Sequence, residues 1–349
     1  MANRLDELRN LVLGYLVTNP DCSSKKIHEG IGEKYGYATL KRSLRSLLND
    51  KLIVAIGAGK GTKYSMSPSS TLLLPINPDE YFIMETDERR ILSGYNHDLI
   101  NNQLKTITLF TPGEDNVLNQ LNAIFQENTS ALSLSEFRIE FERLAIDLSW
   151  KSSQIEGNTY SLLETERLLK NSETAAGKTR DEATMLLNHK LALDFILDHP
   201  DYVQPLTVSA IEDIHSLLTK ELDVTRNVRN RRVGISGTNY TPLDNEHQIK
   251  EALYSMCSLI NAKENVFEKA LLVLALISYI QPFADGNKRT ARIISNSILM
   301  QHHCCPLSFR TVNSLEYKKA MLIFYEQNNI SALKKIFIDQ FEFAVKTYF

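Results

Sequence analysis

Leu5, Leu8, Leu11, Val12, Tyr15 and Leu16 recur at the spacing of one helix face, and Asn19-Pro20-Asp21 then interrupts the pattern. The chain is therefore predicted to open with an amphipathic helix buried along that face. A second short helix fits residues 24–31. A third fits 39–50, with Leu40, Leu44, Leu47 and Leu48 on one side and Lys41, Arg42 and Arg45 elsewhere. Two strand-like runs, Leu52-Ile53-Val54-Ala55-Ile56 and Lys63-Tyr64-Ser65-Met66, flank a glycine-rich turn that contains Lys60, which predicts a hairpin. Ser67-Pro68-Ser69-Ser70 and the prolines at 75 and 78 close this unit. From about 79 onward the pattern is mainly helical, with helices expected over 133–151, 162–171, 180–198, 208–222, 248–261 and 266–280.

Three helices followed by a basic hairpin resemble a winged helix-turn-helix domain, whose third helix would enter the DNA major groove. Residues 1–68 carry eleven Lys/Arg against six Asp/Glu, about +5, so the rest of a chain of net charge -3 is about -8. That asymmetry suits a polyanion at one end only. It makes Lys41, Arg42, Arg45, Lys60 and Lys63 the candidate DNA contacts. The same fold also serves as a protein-interaction or dimerisation module, and a homodimer is among the expected partners.

Composition narrows the class. With 349 residues, 43% hydrophobic and 23% charged, the chain has the make-up of a soluble globular protein with two or three compact units. The longest apolar stretch, 270–280, is well short of the roughly 20 residues that span a bilayer, so no membrane segment or signal peptide is expected. Cys22, Cys257, Cys304 and Cys305 form no C-x-x-C pair. His302-His303-Cys304-Cys305 lacks metal-ligand spacing and reads as a helix end ahead of Pro306. A reduced, cytoplasmic protein is the expectation.

Chemistry concentrates in Gln281-Pro282-Phe283-Ala284-Asp285-Gly286-Asn287-Lys288-Arg289-Thr290-Ala291-Arg292. A polar glycine loop between two apolar helices leaves backbone N–H groups at a helix start, which is an anion site. Arg289 and Arg292, three apart, add two guanidinium forks suited to a polyphosphate. Gly286 allows close backbone approach, Asn287 can donate and accept across the turn, and Lys288 adds charge. Asp285 supplies the hard oxygen that a magnesium ion bridging those phosphates needs.

The stretch resembles the motif of the Fic family, His-x-Phe-x-Asp/Glu-Gly-Asn-x-Arg-x-x-Arg, at Phe283, Asp285, Gly286, Asn287, Arg289 and Arg292, with Gln281 at the histidine position. Two further segments are similar to family features. Arg229, Val233, Ile235, Gly237, Thr238 and Tyr240 resemble the flap hairpin that docks the target backbone. Ser152, Glu156 and Gly157 resemble the inhibitory motif of the subgroup whose inhibitory helix precedes the core. In that subgroup the glutamate pairs with the motif's second arginine, here Arg292.

The resemblance implies a mainly α fold, a helical Fic-type domain with a short β-hairpin flap plus the small N-terminal winged-helix domain. Its expected parts are 1–68, a helical linker region over 69–130, the Fic-type domain over 131–310 and a helical extension over 311–349. The implied activity is transfer of AMP from Mg-ATP to a Ser, Thr or Tyr hydroxyl of a protein, restrained by Glu156. Gln281 cannot act as general base, a loss that typically costs about 10² to 10⁴ in rate. Two other readings stay open: a catalytically silent, ATP-sensing DNA-binding regulator, and a hydrolase that removes AMP using Glu156.

Overall fold

A computed structural model describes residues 2–32 and 34–349. The side chains of residues 2–6 and of Lys60 lie outside the described set, so the expectations for Leu5 in the first core and for Lys60 as a DNA contact fall outside it.

The first unit runs α1 (Ala2–Thr18), β1 (Cys22–Ser23), α2 (Ser24–Gly30), α3 (Tyr37–Asn49), β2 (Ile53–Ile56) and β3 (Lys63–Met66). The three strands form an antiparallel sheet in the order β1-β3-β2, registered by Cys22 opposite Tyr64 and Ile53 opposite Met66. β1 is an addition to the predicted hairpin, two residues long and so without an alternation that sequence could show. Leu8, Val12, Leu13, Leu16, Ile27, Leu40, Leu44, Leu47, Ile53 and Tyr64 make its core. Leu11 differs from expectation. It is 38% exposed, and Leu13 is buried in its place.

The remaining helices are α4 (Pro68–Leu73), α5 (Pro78–Tyr81), a π-helical turn (Leu99–Gln103) leading into α6 (Leu104–Thr106), α7 (Pro112–Ser130), α8 (Leu134–Ile155), α9 (Leu162–Asn171), α10 (Arg180–Asp198), α11 (Val208–Leu218), α12 (Glu246–Ala262), α13 (Val266–Ile280), α14 (Asn287–Gln301), α15 (Ser314–Gln327) and α16 (Ser331–Tyr348). Four of them begin with the same device. Thr111/Glu114, Ser133/Glu136, Ser161/Glu164 and Thr179/Glu182 form reciprocal capping boxes at the starts of α7, α8, α9 and α10, each satisfying two otherwise orphan N–H groups. α11 stops four residues before the expected 222, and its His215 carbonyl accepts from both the N–H and the hydroxyl of Thr219, the residue that caps it.

α13 is buried around nearly its whole circumference, as a helix at the centre of a bundle must be. It packs most extensively against α14, with α10, α11, α12, α15 and α16 around the pair. Leu72, Leu99, Phe110, Leu118 and Phe125 from the first part of the body and Tyr317, Phe324, Phe337 and Phe341 from the last share this one core. Residues 69–130 and 311–349 are therefore not set apart from 131–310 by separate cores. Their short apolar runs complete the wall around α13.

No helix among the described residues is long and apolar enough to cross a membrane. All four cysteines are buried and unpaired. Because Leu274 is fully buried in α13, Leu274→Ala should cost about 3 kcal/mol of stability by transfer loss and cavity formation. Urea unfolding followed by circular dichroism measures this as a lower midpoint with unchanged slope.

Candidate functional site

α13 ends where Gln281 turns into the left-handed region, φ 52°, and Pro282 prevents the helix from resuming. Five residues on, Gly286 at φ 80° starts α14 with no side-chain cap, leaving the N–H groups of the first turn without a capping side chain. A side chain at 286 would be strained by that φ, and its Cβ would meet His215 and Thr219 at 3.4 Å.

The loop is stapled from within by Asn287. Its Oδ1 accepts from the Phe283 N–H at 2.9 Å, and its Nδ2 donates to the Phe283 carbonyl at 2.9 Å and to Gln281 Oε1 at 3.0 Å. The Gln281 amide in turn donates to the Ser278 carbonyl at 2.6 Å. The Gln281 side chain thus joins the end of α13 to the start of α14. Phe283 is buried and stacks face to face on His215 of α11, centroids 3.7 Å apart at 7°. His215 Nε2 hydrogen-bonds the Asp285 carbonyl at 2.9 Å. His215 was not singled out from sequence. A lone histidine in an apolar helix gives no signal until the fold brings it against Phe283.

Both motif arginines are nearly inaccessible, Arg289 at 1% and Arg292 at 0% exposure. They look to different neighbours although they lie one helical step apart. Arg289 Nη2 donates to Asp285 Oδ2 at 3.0 Å and Nη1 to the Leu218 carbonyl at 3.4 Å. Arg292 turns to the end of α8. Its Nε donates to Ser152 Oγ at 2.8 Å, and its Nη2 donates to the Ser152 carbonyl and to Glu156 Oε1, both at 3.0 Å. Lys288 Nζ lies 3.3 Å from Glu156 Oε2. Arg289 Nε and Arg292 Nη1 are buried without a partner. Gly157 follows Glu156 at φ 98°, releasing the chain from α8.

Burial alone would raise the Glu156 pKa, but Arg292, Lys288 and Arg289 together hold it below the usual carboxylate range. Burial pulls the Arg289 pKa down, against the pull of Asp285 and Glu156.

The flap segment departs from its expected form. It reverses at Ser236–Gly237, but its two arms make no ladder, so Val233 and Ile235 lie on an unpaired arm. Arg229 anchors the base, donating from Nε to the Gln281 carbonyl at 2.6 Å while its own N–H donates to the Pro282 carbonyl at 2.9 Å. Thr238 Oγ1 accepts from the Tyr240 N–H at 3.0 Å. Tyr240 faces inward: its hydroxyl donates to the Tyr279 carbonyl at 3.1 Å and its ring stacks on Tyr279. It holds the segment to the core and cannot meet a docked chain.

Between this segment and the loop lies a cleft of about 490 Å³ bordered by Glu156, Ile235, Gln281, Lys288, Lys318 and Met321. The last two belong to α15, a wall that sequence reading missed because its residues carry no motif. Glu156 is the only carboxylate among the cleft's lining residues. No group of three or more His, Cys, Asp or Glu capable of holding a metal exists among the described residues. The side chain of Asp285 is 63% exposed and keeps one oxygen outside its ion pair. On the first unit, Lys41, Arg42, Arg45 and Lys63 are all exposed, and Lys41 lies over the rings of Tyr37 and Tyr64.

Burial pushes the His215 pKa down to about 4. A base whose folded pKa is depressed takes its proton more readily when unfolded, so stability falls as pH drops from about 6.5 toward 4 and the loss levels off below. His215→Phe keeps the stack and removes this titration. Its stability profile, measured by thermal melts across that window, should be flatter than that of the wild type.

Residues 205–299 match the model of the Fic/DOC family. The chain is 25% identical over 173 residues to protein adenylyltransferase fic-1 of Caenorhabditis elegans, a match that covers 47% of this chain and 33% of that protein. It is 27% identical over 161 residues to protein adenylyltransferase Fic of Culex quinquefasciatus, covering 44% and 31%. The chain thus spans about a third of the curated relatives it matches. A solved structure of C. elegans Fic-1 superposes with a TM-score of 0.57 at 21% identity, covering 67% of this chain and 71% of that one. A Fic family protein from Desulfovibrio desulfuricans G20 does so with 0.57 at 18%, covering 68% and 74%. The fold is therefore shared, and residues 205–299, with the stapled loop and both buried arginines, form a Fic/DOC family domain.

Proposed function

We propose that the cleft binds a nucleoside triphosphate and is built for transfer of AMP to a protein hydroxyl, with Glu156 holding it in check and Gln281 slowing it. The observation that carries this reading is Arg292, a fully buried guanidinium whose Nη1 lacks a hydrogen-bond partner while its other nitrogens bond Ser152 and Glu156 and its plane lies over the Tyr317 ring. Phosphate oxygens at the uncapped start of α14 would satisfy Arg292 Nη1 and Arg289 Nε and could replace Glu156 on Arg292. The adenosine would extend toward the α15 wall.

The residues present suit a magnesium ion. Asp285 would hold it through its free oxygen, as an ion that keeps most of its ligands from phosphate and water requires. When bound, magnesium would neutralise charge on the phosphates. In the transfer itself the target hydroxyl oxygen forms a bond to the α-phosphorus, the bond to the β-phosphate oxygen breaks, and pyrophosphate leaves. The hydroxyl proton passes to solvent water, because Gln281 is no acceptor and both polar ends of its side chain are already engaged. Positioning by Arg289, Arg292 and the loop is unaffected by that substitution, and positioning supplies most of the catalysis in phosphoryl chemistry.

The end of α8 acts in this reading as an inhibitory helix N-terminal to the core, because Glu156 occupies Arg292 and Lys288. The first unit acts as a winged helix on DNA, supported by the exposed bases on α3 and β3. The engagement of Gln281 as a staple favours a second reading, in which occupancy of the cleft by Mg-ATP is reported to the first unit without turnover.

Incubation with α-labelled ATP and magnesium separates the two. Gln281→His together with Glu156→Gly should label itself or a partner protein at least about 10² times faster than wild type, the typical contribution of a general base. A double variant that binds Mg-ATP and labels nothing would leave the silent, ATP-sensing reading.

A further inference from the structure

The stretch that joins the first unit to the helical body lies outside the family match, yet it makes a concentrated set of contacts to the flap segment 229–242. Arg89, with a side chain only 5% exposed, pairs two-pronged with the fully buried Glu326 of α15: Nε to Oε2 at 3.0 Å and Nη2 to Oε1 at 2.9 Å. Tyr81 adds a hydroxyl to Glu326 Oε2 at 2.7 Å, and the Leu92 N–H donates to the Glu326 carbonyl at 2.8 Å. The same Nη2 of Arg89 reaches the carbonyl of Gly237, at the tip of the flap, at 2.7 Å. Beside it Asn239 Nδ2 donates to Asp87 Oδ1 at 2.9 Å, and the Thr241 N–H donates to the Ser93 carbonyl at 2.9 Å, next to a bridge between Gly94 and Thr241. On the opposite side, Arg90 Nη1 donates to the carbonyl of Thr18, the last residue of α1, at 2.9 Å.

These contacts matter because the flap has no ladder of its own. A segment of exposed backbone without internal pairing takes its position from what holds its ends and tip. Arg229 holds the base against Gln281 and Pro282, and Tyr240 holds the return arm to Tyr279. The tip is held from the body's periphery by Arg89. The residues just before that tip, Gly234 to Ser236, border the cleft. The guanidinium therefore stands between a fixed point, the buried carboxylate of Glu326, and a stretch of cleft wall that lacks its own secondary structure.

We propose that Arg89 is a positioning residue for the flap: anchored on Glu326, it sets the height of the tip over the cleft, and through Arg90 the same strap joins the flap to α1. This rests on the reading of 229–242 as the flap that receives a target. An Arg is required in this role because a single fork must satisfy a buried carboxylate and a backbone carbonyl together, which a lysine ammonium does with poorer geometry.

Hydrogen exchange read by mass spectrometry on the full chain tests the proposal. Arg89→Lys keeps a cation for Glu326 and loses the fork. Its amides at 233–241 should exchange about tenfold faster, the scale of one lost hydrogen bond to a charged donor, while those of α13 and α14 stay unchanged. Asp87→Ala, which leaves the Arg89–Glu326 pair intact, should loosen the same amides to a smaller degree. Arg89→Met with Glu326→Gln removes both charges and should recover a melting temperature near that of wild type, with the flap still loose. Calorimetric affinity for Mg-ATP should stay within about twofold, since the phosphate loop is untouched. If flap exchange is unchanged in Arg89→Lys, or returns to wild type in the double variant, Arg89 serves only to neutralise Glu326 and the proposal falls. Failure of the wild type to bind Mg-ATP would count against the nucleotide reading instead, and the exchange result would be unaffected by it; loss of binding in Arg89→Lys alone would overturn the claim that Arg89 acts on the flap and not on the phosphate loop.

Discussion

The structure depends on one buried charge. Arg292 sits at full burial on the first turns of α14, and a lone guanidinium there would carry a desolvation cost of several kcal/mol. Ser152 and Glu156 offset that cost, and in doing so pin the end of α8 to the helix that carries the phosphate loop. Glu156 stands at a helix C-terminus, where the helix dipole disfavours a carboxylate, so it is held there by the cations opposite. An anion arriving at the loop competes for the same guanidinium. In the proposed reading the restraint on the site and its affinity for nucleotide are thus two uses of one side chain.

Around that charge the loop is rigid by construction. α13 is closed by a left-handed residue and a proline, and α14 is opened by a glycine that no other residue replaces without strain. Asn287 ties the intervening backbone to itself, and His215 supports it from below through Phe283 and the Asp285 carbonyl. Gln281 belongs to this staple, donating to one helix and accepting from the other. A residue fixed in that way preserves the geometry of a phosphate site while lacking the proton acceptor that the motif's histidine supplies.

Local chemistry made the loop legible in the sequence. A left-handed turn, a helix start and two arginines at fixed spacing need particular residue types, whereas the pairing of Glu156 with Arg292 followed from the resemblance to the shorter and less specific inhibitory motif. Helix limits at 162–171, 180–198 and 266–280 were legible for the same reason, since the caps and prolines that set them are local. The features that were not legible depend on tertiary contact. Tyr240 looks like a docking residue in sequence, and only the stack on Tyr279 shows that it faces inward. Val233 and Ile235 alternate like a strand but find no partner to complete a ladder. Leu11 and Leu13 exchange places because α1 rotates to meet α3 and β3. The segments 69–130 and 311–349 read as linker and extension because each buries little by itself, and only the shared core around α13 shows what they contribute.

The competition for Arg292 is best tested by calorimetric titration of Mg-ATP and Mg-ADP into wild type and Glu156→Gly. The account predicts that removing Glu156 strengthens ATP binding by at least about tenfold, the scale of one charge-assisted contact regained by a phosphate, and changes ADP binding little. Equal affinities in the two proteins, or equal gains for ATP and ADP, would contradict it.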